Sequence, residues 1–211
     1  ITYRLNAPLA ELIGRLFYPD AEGQSRLVSG LGVGERRLRY PARNDNAWTE
    51  AVLNPQVPAV WVRTEEDNRR QSSRAEAQLV TTLVQRLLAA GVKGHDIAVV
   101  TPFRQQVQLL GVKLASLSQR VRIGTIEIMQ GQSVEVVIVS LASSEPEYLA
   151  TIADFYFWPN RWNVAFSRAR TKLVVVGSGI IVQAFPPAMR IGTSRNLLTI
   201  DLARVETIAA P

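Results

Sequence analysis

Asn160-Arg161-Trp162-Asn163-Val164-Ala165-Phe166-Ser167-Arg168-Ala169-Arg170, followed after Thr171 by Lys172-Leu173-Val174-Val175-Val176-Gly177, is the stretch on which the reading of the fold turns. At about 100° per residue, Trp162, Ala165, Phe166 and Ala169 fall on one side, the stripe of a helix packed on a core. Arg161 and Arg168 share one flank of that stripe and Arg170 lies on the other, near Asn163, so Arg161 and Arg168 are expected to aim together. Asn160, after Pro159, reads as the N-cap, and Leu173 to Val176 reads as a strand buried on both faces. Charges alone on such a helix usually make no more than a basic solvated face. The rest of the chain gives them a context.

Outward from this stretch, strands and helices alternate. Asn6 is placed to cap a helix with Pro8 in its first turn and Leu9, Leu12, Ile13 and Leu16 as its buried stripe. Residues 18–56 are irregular; Gly30-Leu31-Gly32-Val33-Gly34 lacks the preceding strand and following helix of a phosphate loop and reads as a turn. Ala59 to Arg63 is a strand. Ser73 and Glu76 form a capping box before a helix striped by Val80, Leu83, Val84, Leu87 and Leu88 and closed by Gly91. Ile97 to Thr101 is a strand, Pro102 opens a helix with Val107, Leu110, Leu114 and Leu117 inside, and Val121 to Ile126 and Val134 to Leu141 are strands. The expected class is α/β, a mostly parallel sheet with helices on both faces. Ligands of such sheets bind outside the carboxyl ends of the strands, where Thr101 to Gln106, Gly124 to Ser133 and Gly177 emerge. The reading gives a domain over 1–178, containing the irregular 18–56, and a tail over 179–211 whose function is unreadable.

The 211 residues are 47% hydrophobic and 20% charged, enough for a sizeable core. The formal charge is +6, from 24 basic and 18 acidic residues, and a basic domain of this kind commonly meets phosphate or nucleic acid. Arginine carries nearly all of it, since only Lys93, Lys113 and Lys172 are lysines, which suits planar, bidentate phosphate contacts; a GC-rich genome gives the same bias. With no cysteine there is no disulfide framework or thiolate metal site, and a reducing cytoplasm is compatible. No apolar run reaches membrane-span length, no signal-peptide pattern opens the chain, and the start at Ile1-Thr2-Tyr3-Arg4 reads as the interior of a longer protein.

No G-x-x-x-x-G-K-[ST] motif is present, and no strand ends in the acidic pair that would hold Mg²⁺, so the chain is not a complete P-loop ATPase. His95, the sole histidine, sits in a Gly-rich turn and reads as a solvated loop residue, and no metal ligands are expected. Gly177-Ser178-Gly179 is not a nucleophile elbow. Arginines and polar loops without a phosphate cradle are what one half of a composite site would leave.

Thr2-Tyr3-Arg4-Leu5-Asn6, Val100-Thr101-Pro102-Phe103-Arg104-Gln105-Gln106-Val107, Gly124-Thr125-Ile126-Glu127-Ile128-Met129-Gln130-Gly131-Gln132 and Asn160 to Arg170 resemble, in order and spacing, motifs of the superfamily 1 helicases. They look most like the branch that moves 5′ to 3′, which includes RNA-decay and Okazaki-fragment helicases, and the match runs from Tyr3 to Gly177. The resemblance covers the second RecA-like domain only. It implies that Tyr3 stacks on adenine, that Arg4 reaches the γ-phosphate and that Arg168 is an arginine finger. It places Gln130, Gly131 and Ser133 in a nucleotide-facing motif, and Thr101, Arg104 and Thr125 against a nucleic-acid backbone. The role of Arg161 stays open, and Arg170 is expected in a structural ion pair. One position departs from the pattern: where the family usually has a ribose-binding Glu stands Ser133, with Glu135 two residues on.

The reading is the C-terminal motor domain of an ATP-dependent helicase or translocase. Its implied cofactors are ATP and Mg²⁺, with the Mg²⁺ ligands on a preceding domain. Its implied partners are single-stranded nucleic acid, DNA rather than RNA, and the first RecA-like domain of the same chain, with no membrane. The alternative is a non-enzymatic nucleic-acid-binding module whose nucleotide site has decayed at Ser133.

Overall fold

The computed structural model describes residues 1–41, 46–117, 120–183 and 206–211. Its elements begin where short-range chemistry lets them. Asn6 accepts from Leu9 N at 3.1 Å and Pro8 sits in the first turn of α1 (Ala7–Phe17), as the sequence implies. A short helix inside the irregular stretch, α2 (Ala47–Leu53), is capped by Asn46 in the same way. After strand β1 (Ala59–Thr64), Ser73 caps α3 (Arg74–Ala89) by accepting from Glu76 N at 3.0 Å. The expected return bond of the capping box is replaced: Ser73 N donates to Gln106 Oε1 at 2.9 Å, and the Glu76 side chain turns inward. Gly91, with φ of +90°, closes α3 in the left-handed conformation that glycine adopts without a Cβ clash.

The remaining elements are β2 (Ile97–Thr101), α4 (Arg104–Leu114), β3 (Arg122–Thr125), β4 (Val134–Ser140), α5 (Pro146–Thr151), α6 (Ala153–Tyr156), α7 (Pro159–Phe166), β5 (Ala169–Ser178), α8 (Ile180–Gln183) and β6 (Glu206–Ala209). The six strands form one sheet, in the order β3-β2-β4-β5-β1-β6, and every pairing is parallel. β6 adds an edge strand from the stretch read as a tail.

Alternate residues of the central strands enter two separate cores. Ala98, Val100, Val137, Val139, Leu173 and Val175 pack with α1, α6 and α7; Ile97, Val99, Val136, Ile138, Val174 and Val176 pack with α2, α3 and α4. A strand covered on both sides must be apolar at every position, which is why these segments read as continuous hydrophobic runs. The fold is therefore α/β and RecA-like, a parallel sheet with helices on both faces. Among the described residues, no helix is long and apolar enough to cross a membrane.

The deciding stretch differs from its sequence reading in one consequential way. Trp162, Ala165 and Phe166 are buried as the stripe requires, but Trp158 rather than Asn160 is the N-cap, and the helix stops at Phe166. Ala169 and Arg170 already belong to β5, and Arg168 lies in the turn between. Helical projection therefore does not govern Arg168, and Arg161 and Arg168 point to different places.

Candidate nucleotide and nucleic-acid sites

The strand ends sort the candidate residues into two groups. Tyr3, Arg4, Ser133 and Arg168 gather at the amino ends of β4 and β5, whereas Thr101, Arg104 and Thr125 lie at the carboxyl ends of β2 and β3. Ser133 therefore does not lie at the carboxyl ends where the sequence reading put it, because the loop leaving β3 returns to the opposite end of the sheet before β4 begins.

At the amino ends, the segment Thr2–Asn6 is laced to the start of β5. Asn6 N donates to Arg170 O at 3.1 Å and Asn6 Nδ2 donates to Thr171 O at 3.2 Å, while Val134 N donates to Arg168 O at 3.1 Å. Ser133 and Arg168 therefore precede two directly paired strands. An open depression of about 620 Å³ is lined by Tyr3, Arg4, Arg36, Ser133 and Arg170 among others. A second, of about 290 Å³, is lined by Arg4, Tyr18, Asn163 and Arg168 among others, so Arg4 borders both.

The electrostatics of this corner are unbalanced. Among the described residues neither Arg4 nor Arg168 has a carboxylate partner, and Arg168 Nε is buried without a hydrogen bond. Burial first, then the charge on Arg4, holds the Arg168 guanidinium below its ordinary value, outweighing the opposite pull of Tyr18. Two cations brought together and a buried donor left unmet are unfavourable unless an anion joins them. Arg170 differs: Nη1 lies 3.5 Å from Glu135 Oε1, an ion pair.

Tyr3 is held by a part of the chain that the motifs do not include. Thr2 bridges to Ser29, Thr2 N donates to Val28 O at 2.8 Å and Gly30 N donates to Thr2 O at 2.7 Å. The Tyr3 ring lies over Gly30 so closely that a Cβ there would fall 2.4 Å from Cε1. The glycine turn of the irregular stretch is thus a seat for Tyr3, which otherwise stays exposed. Gly30 and Arg36 escaped the sequence reading; the glycine-rich turn was visible, but nothing in its spacing tied it to Tyr3.

Gln130 and Gly131 lie exposed in the loop that delivers Ser133 and line neither depression. Arg161, left open by the sequence, has a defined place: Nε and Nη2 each approach Glu127 Oε1 at 2.8 Å, and its guanidinium carbon lies 4.0 Å from the centroid of the Phe155 ring.

At the carboxyl ends, Thr101 and Thr125 are register partners across β2 and β3. Thr101 is fully buried, its Oγ1 accepting from Phe103 N at 3.5 Å; Thr125 is partly exposed. Arg104 is exposed on the first turn of α4 and has no ion-pair partner among the described residues.

Behind these loops is a polar network that the sequence did not announce. Glu76 accepts from Ser140 Oγ at 2.7 Å and from Ala142 N at 3.0 and 2.9 Å, and Gln106 Nε2 donates to Ser140 Oγ at 2.9 Å. Burial pushes the Glu76 carboxyl up to about 8, against the opposing pull of the Ser140 and Ala142 hydrogen bonds.

A parallel α/β sheet thus carries, at one end of its strands, two arginines without a carboxylate partner among the described residues and an exposed aromatic ring beside them. The chain belongs to the AAA domain family, whose model (AAA_12) matches residues 1–179. Among curated proteins it is similar to the DNA replication ATP-dependent helicase/nuclease DNA2 of Mus musculus, 28% identical over 204 residues, covering 89% of this chain and 19% of that protein. The Homo sapiens counterpart is 26% identical, covering 96% of the chain and 21% of the relative, and the Arabidopsis thaliana helicase/nuclease JHS1 is 28% identical, covering 89% and 14%. The resemblance to superfamily 1 helicases thus extends over most of the chain. The chain spans about a fifth of the length of the curated relatives it matches. A solved structure, the C-terminal domain of a possible DNA helicase from Lactobacillus plantarum WCFS1, matches with a TM-score of 0.45 at 15% identity, over 76% of this chain and 92% of that one.

Proposed function

We propose that this chain is the second motor domain of an ATP-dependent DNA helicase or translocase, supplying half of an ATP site whose P-loop and Mg²⁺ ligands stand on another domain. The observation that carries the reading is the corner where Arg4 and Arg168 meet, among the described residues, with no carboxylate partner and with Arg168 Nε unmet. A triphosphate fits that corner by charge and by donor chemistry, and Tyr3 offers a base-stacking ring beside it. When bound, ATP contributes the transferable γ-phosphoryl group.

Within this reading the side chains divide the work. Tyr3, seated on Gly30, stacks on the adenine and Ser133 meets the ribose, with Gln130 and Gly131 shaping the loop that delivers it. Arg4 reaches the γ-phosphate, and Arg168 stabilises charge that develops on the phosphoryl oxygens, a contribution worth roughly 10³ to 10⁵ in rate for such fingers. Thr101, Arg104 and Thr125 mark the face toward the single strand. Thr101 acts through the loop it braces, because its hydroxyl is buried. Opening and closing against the partner domain then couples turnover to movement along the strand.

The test is separation and reunion. The purified 211-residue chain should hydrolyse no ATP, while the complete protein should show nucleic-acid-stimulated turnover; activity in the chain alone, above a mock purification, would defeat the half-site argument.

A further inference from the structure

Arg168 has a companion in the corner it occupies. Asn163, on α7, has its Oδ1 buried without a hydrogen bond, as Arg168 has its Nε. Both residues line the depression of about 290 Å³ that Arg4 and Tyr18 also border. One unmet atom is an acceptor and the other a donor, so one small space is lined by the two halves of a hydrogen bond that is not made. Buried polar atoms without partners are few in a folded chain, and each asks for a reason.

The surroundings fix Asn163 firmly. Its Nδ2 donates to Tyr18 Oη at 2.7 Å, which leaves the carbonyl end of the amide as the free one; turned over, the amide would offer a second donor where Arg168 needs an acceptor. Tyr18 is held in turn at the end of α1, where its N donates to Gly14 O at 2.8 Å and its O accepts from Arg26 N at 3.1 Å. The Phe17 and Phe166 rings, 6.3 Å apart, join the end of α1 to the end of α7. Asn163 O accepts from Ser167 N at 3.0 Å, so the turn that carries Arg168 is closed on the same residue. The neighbouring arginines of this stretch are spent on carboxylates, Arg161 on Glu127 and Arg170 on Glu135. An amide differs from a carboxylate in the respect that matters here: it accepts an N–H without cancelling the charge of the guanidinium.

Resting on the reading of Arg168 as the finger, we propose that Asn163 and Tyr18 are its positioning residues: Asn163 Oδ1 takes the Arg168 Nε–H when a phosphoryl group engages the guanidinium, and Tyr18 holds the amide in the orientation that allows it. A guanidinium carries five N–H donors in a rigid plane. With Nε held from behind, the two Nη groups face outward as a fork, the arrangement that matches phosphoryl oxygens. An anion between Arg4 and Arg168 also offsets their mutual repulsion, which in its absence works against settling the guanidinium in place. Neither Asn163 nor Tyr18 touches the nucleotide in this assignment; both act through Arg168.

The experiment measures, in the complete protein, ATPase under saturating single strand and the binding of ADP alone and of ADP with aluminium fluoride, a mimic of the transferring phosphoryl group. Asn163→Ala should lower kcat about tenfold to a hundredfold with KM nearly kept, the scale of one hydrogen bond to a charged group. Its affinity for ADP should stay at the wild-type value while its affinity for ADP with aluminium fluoride falls by the factor seen in kcat; a merely structural role would move both together. Asn163→Asp keeps the shape and a contact with Tyr18, whose hydroxyl then donates, but sets a negative charge against the finger, and should be as slow as Asn163→Ala. Tyr18→Phe removes one hydroxyl from a partly exposed ring, so it carries the test even where Asn163→Ala does not fold; a loss of about threefold to tenfold is expected, in kcat and not in ADP affinity. Arg168→Ala tells two failures apart. If it abolishes turnover while the Asn163 and Tyr18 variants match wild type, the positioning assignment is overturned and the finger stands. If Arg168→Ala turns over like wild type, the finger reading is lost and the positioning with it. Equal weakening of ADP and of its aluminium fluoride complex in Asn163→Ala, or full activity in Asn163→Asp, also overturns the assignment.

Discussion

At the carboxyl ends of the strands, Glu76 is buried among donors from Ser140 and Ala142, and Gln106 and Ser73 complete the network without outside help. At the amino ends, Arg168 is partly buried beside Arg4 with a donor left unmet and, among the described residues, no carboxylate partner. The two places hold comparable chemistry, ionisable side chains withdrawn from water, and resolve it in opposite ways. A buried polar group that finds its partners inside the fold serves the fold. One that does not leaves a desolvation cost that the fold itself does not offset. The contrast makes the amino ends the place to look for a ligand and the Glu76 network the place to look for stability.

The sharpest way to break the contrast is to change Arg168. In the complete protein Arg168→Lys keeps the charge but loses the planar fork, and nucleic-acid-stimulated ATPase should fall about 10³-fold or more, while thermal stability and single-strand affinity change little. If that variant turns over like wild type, Arg168 is not the group that meets the phosphoryl oxygens.

Next in size is the opposite end. Glu76→Ala strands the Ser140 hydroxyl and the Ala142 N–H, and should lower unfolding stability by about 2–4 kcal/mol without touching nucleotide affinity. The sign of its pH dependence follows from a carboxyl raised from 4.5 to about 8. Between those values the folded chain holds a proton that the unfolded chain has lost, so stability is full below about 4.5 and declines as pH rises through 8. Glu76→Gln keeps a neutral partner for Ser140 and should flatten that decline in urea titrations run across the range. An unchanged slope would mean that Glu76 ionises freely in the folded state.

A smaller effect is expected where the irregular stretch supports the site. Gly30→Ala pushes the Tyr3 ring off its seat and should raise KM for ATP about tenfold in the complete protein with kcat nearly kept, because stacking acts in ground and transition states alike. A change confined to kcat would place Tyr3 away from the base. Smallest is Ser133→Glu, which restores a charge-assisted acceptor beside the same depression and should tighten ATP a few-fold. Titration with a 2′,3′-dideoxy analogue checks it, since equal binding of both nucleotides by both proteins would remove Ser133 from the ribose.

Much of this was legible in the chain and some was not, along a physical boundary. The caps at Asn6 and Ser73, the close of α3 at Gly91 and the unbroken apolar strands are settled by residues within a turn or a strand of one another, so reading along the sequence finds them. The α7 stripe was legible for the same reason, yet its last turn was not, because Ala169 and Arg170 are drawn into β5 by pairing with β4, and pairing leaves no trace in local periodicity. Asn6 and Thr171, hydrogen-bonded to each other, stand 165 residues apart. The amino-acid sequence by itself determined an α/β chain of alternating elements, its double-sided core and the helicase-like motif segments that carry the arginines. The tertiary structure alone decided that β4 and β5 lie between β1 and β2, that Arg168 joins Arg4 while Arg161 turns to Glu127, and that Glu76 is sealed inside. Short-range hydrogen bonding and periodicity select elements, whereas which distant groups become neighbours depends on how the whole sheet closes its two cores and satisfies the polar atoms buried there.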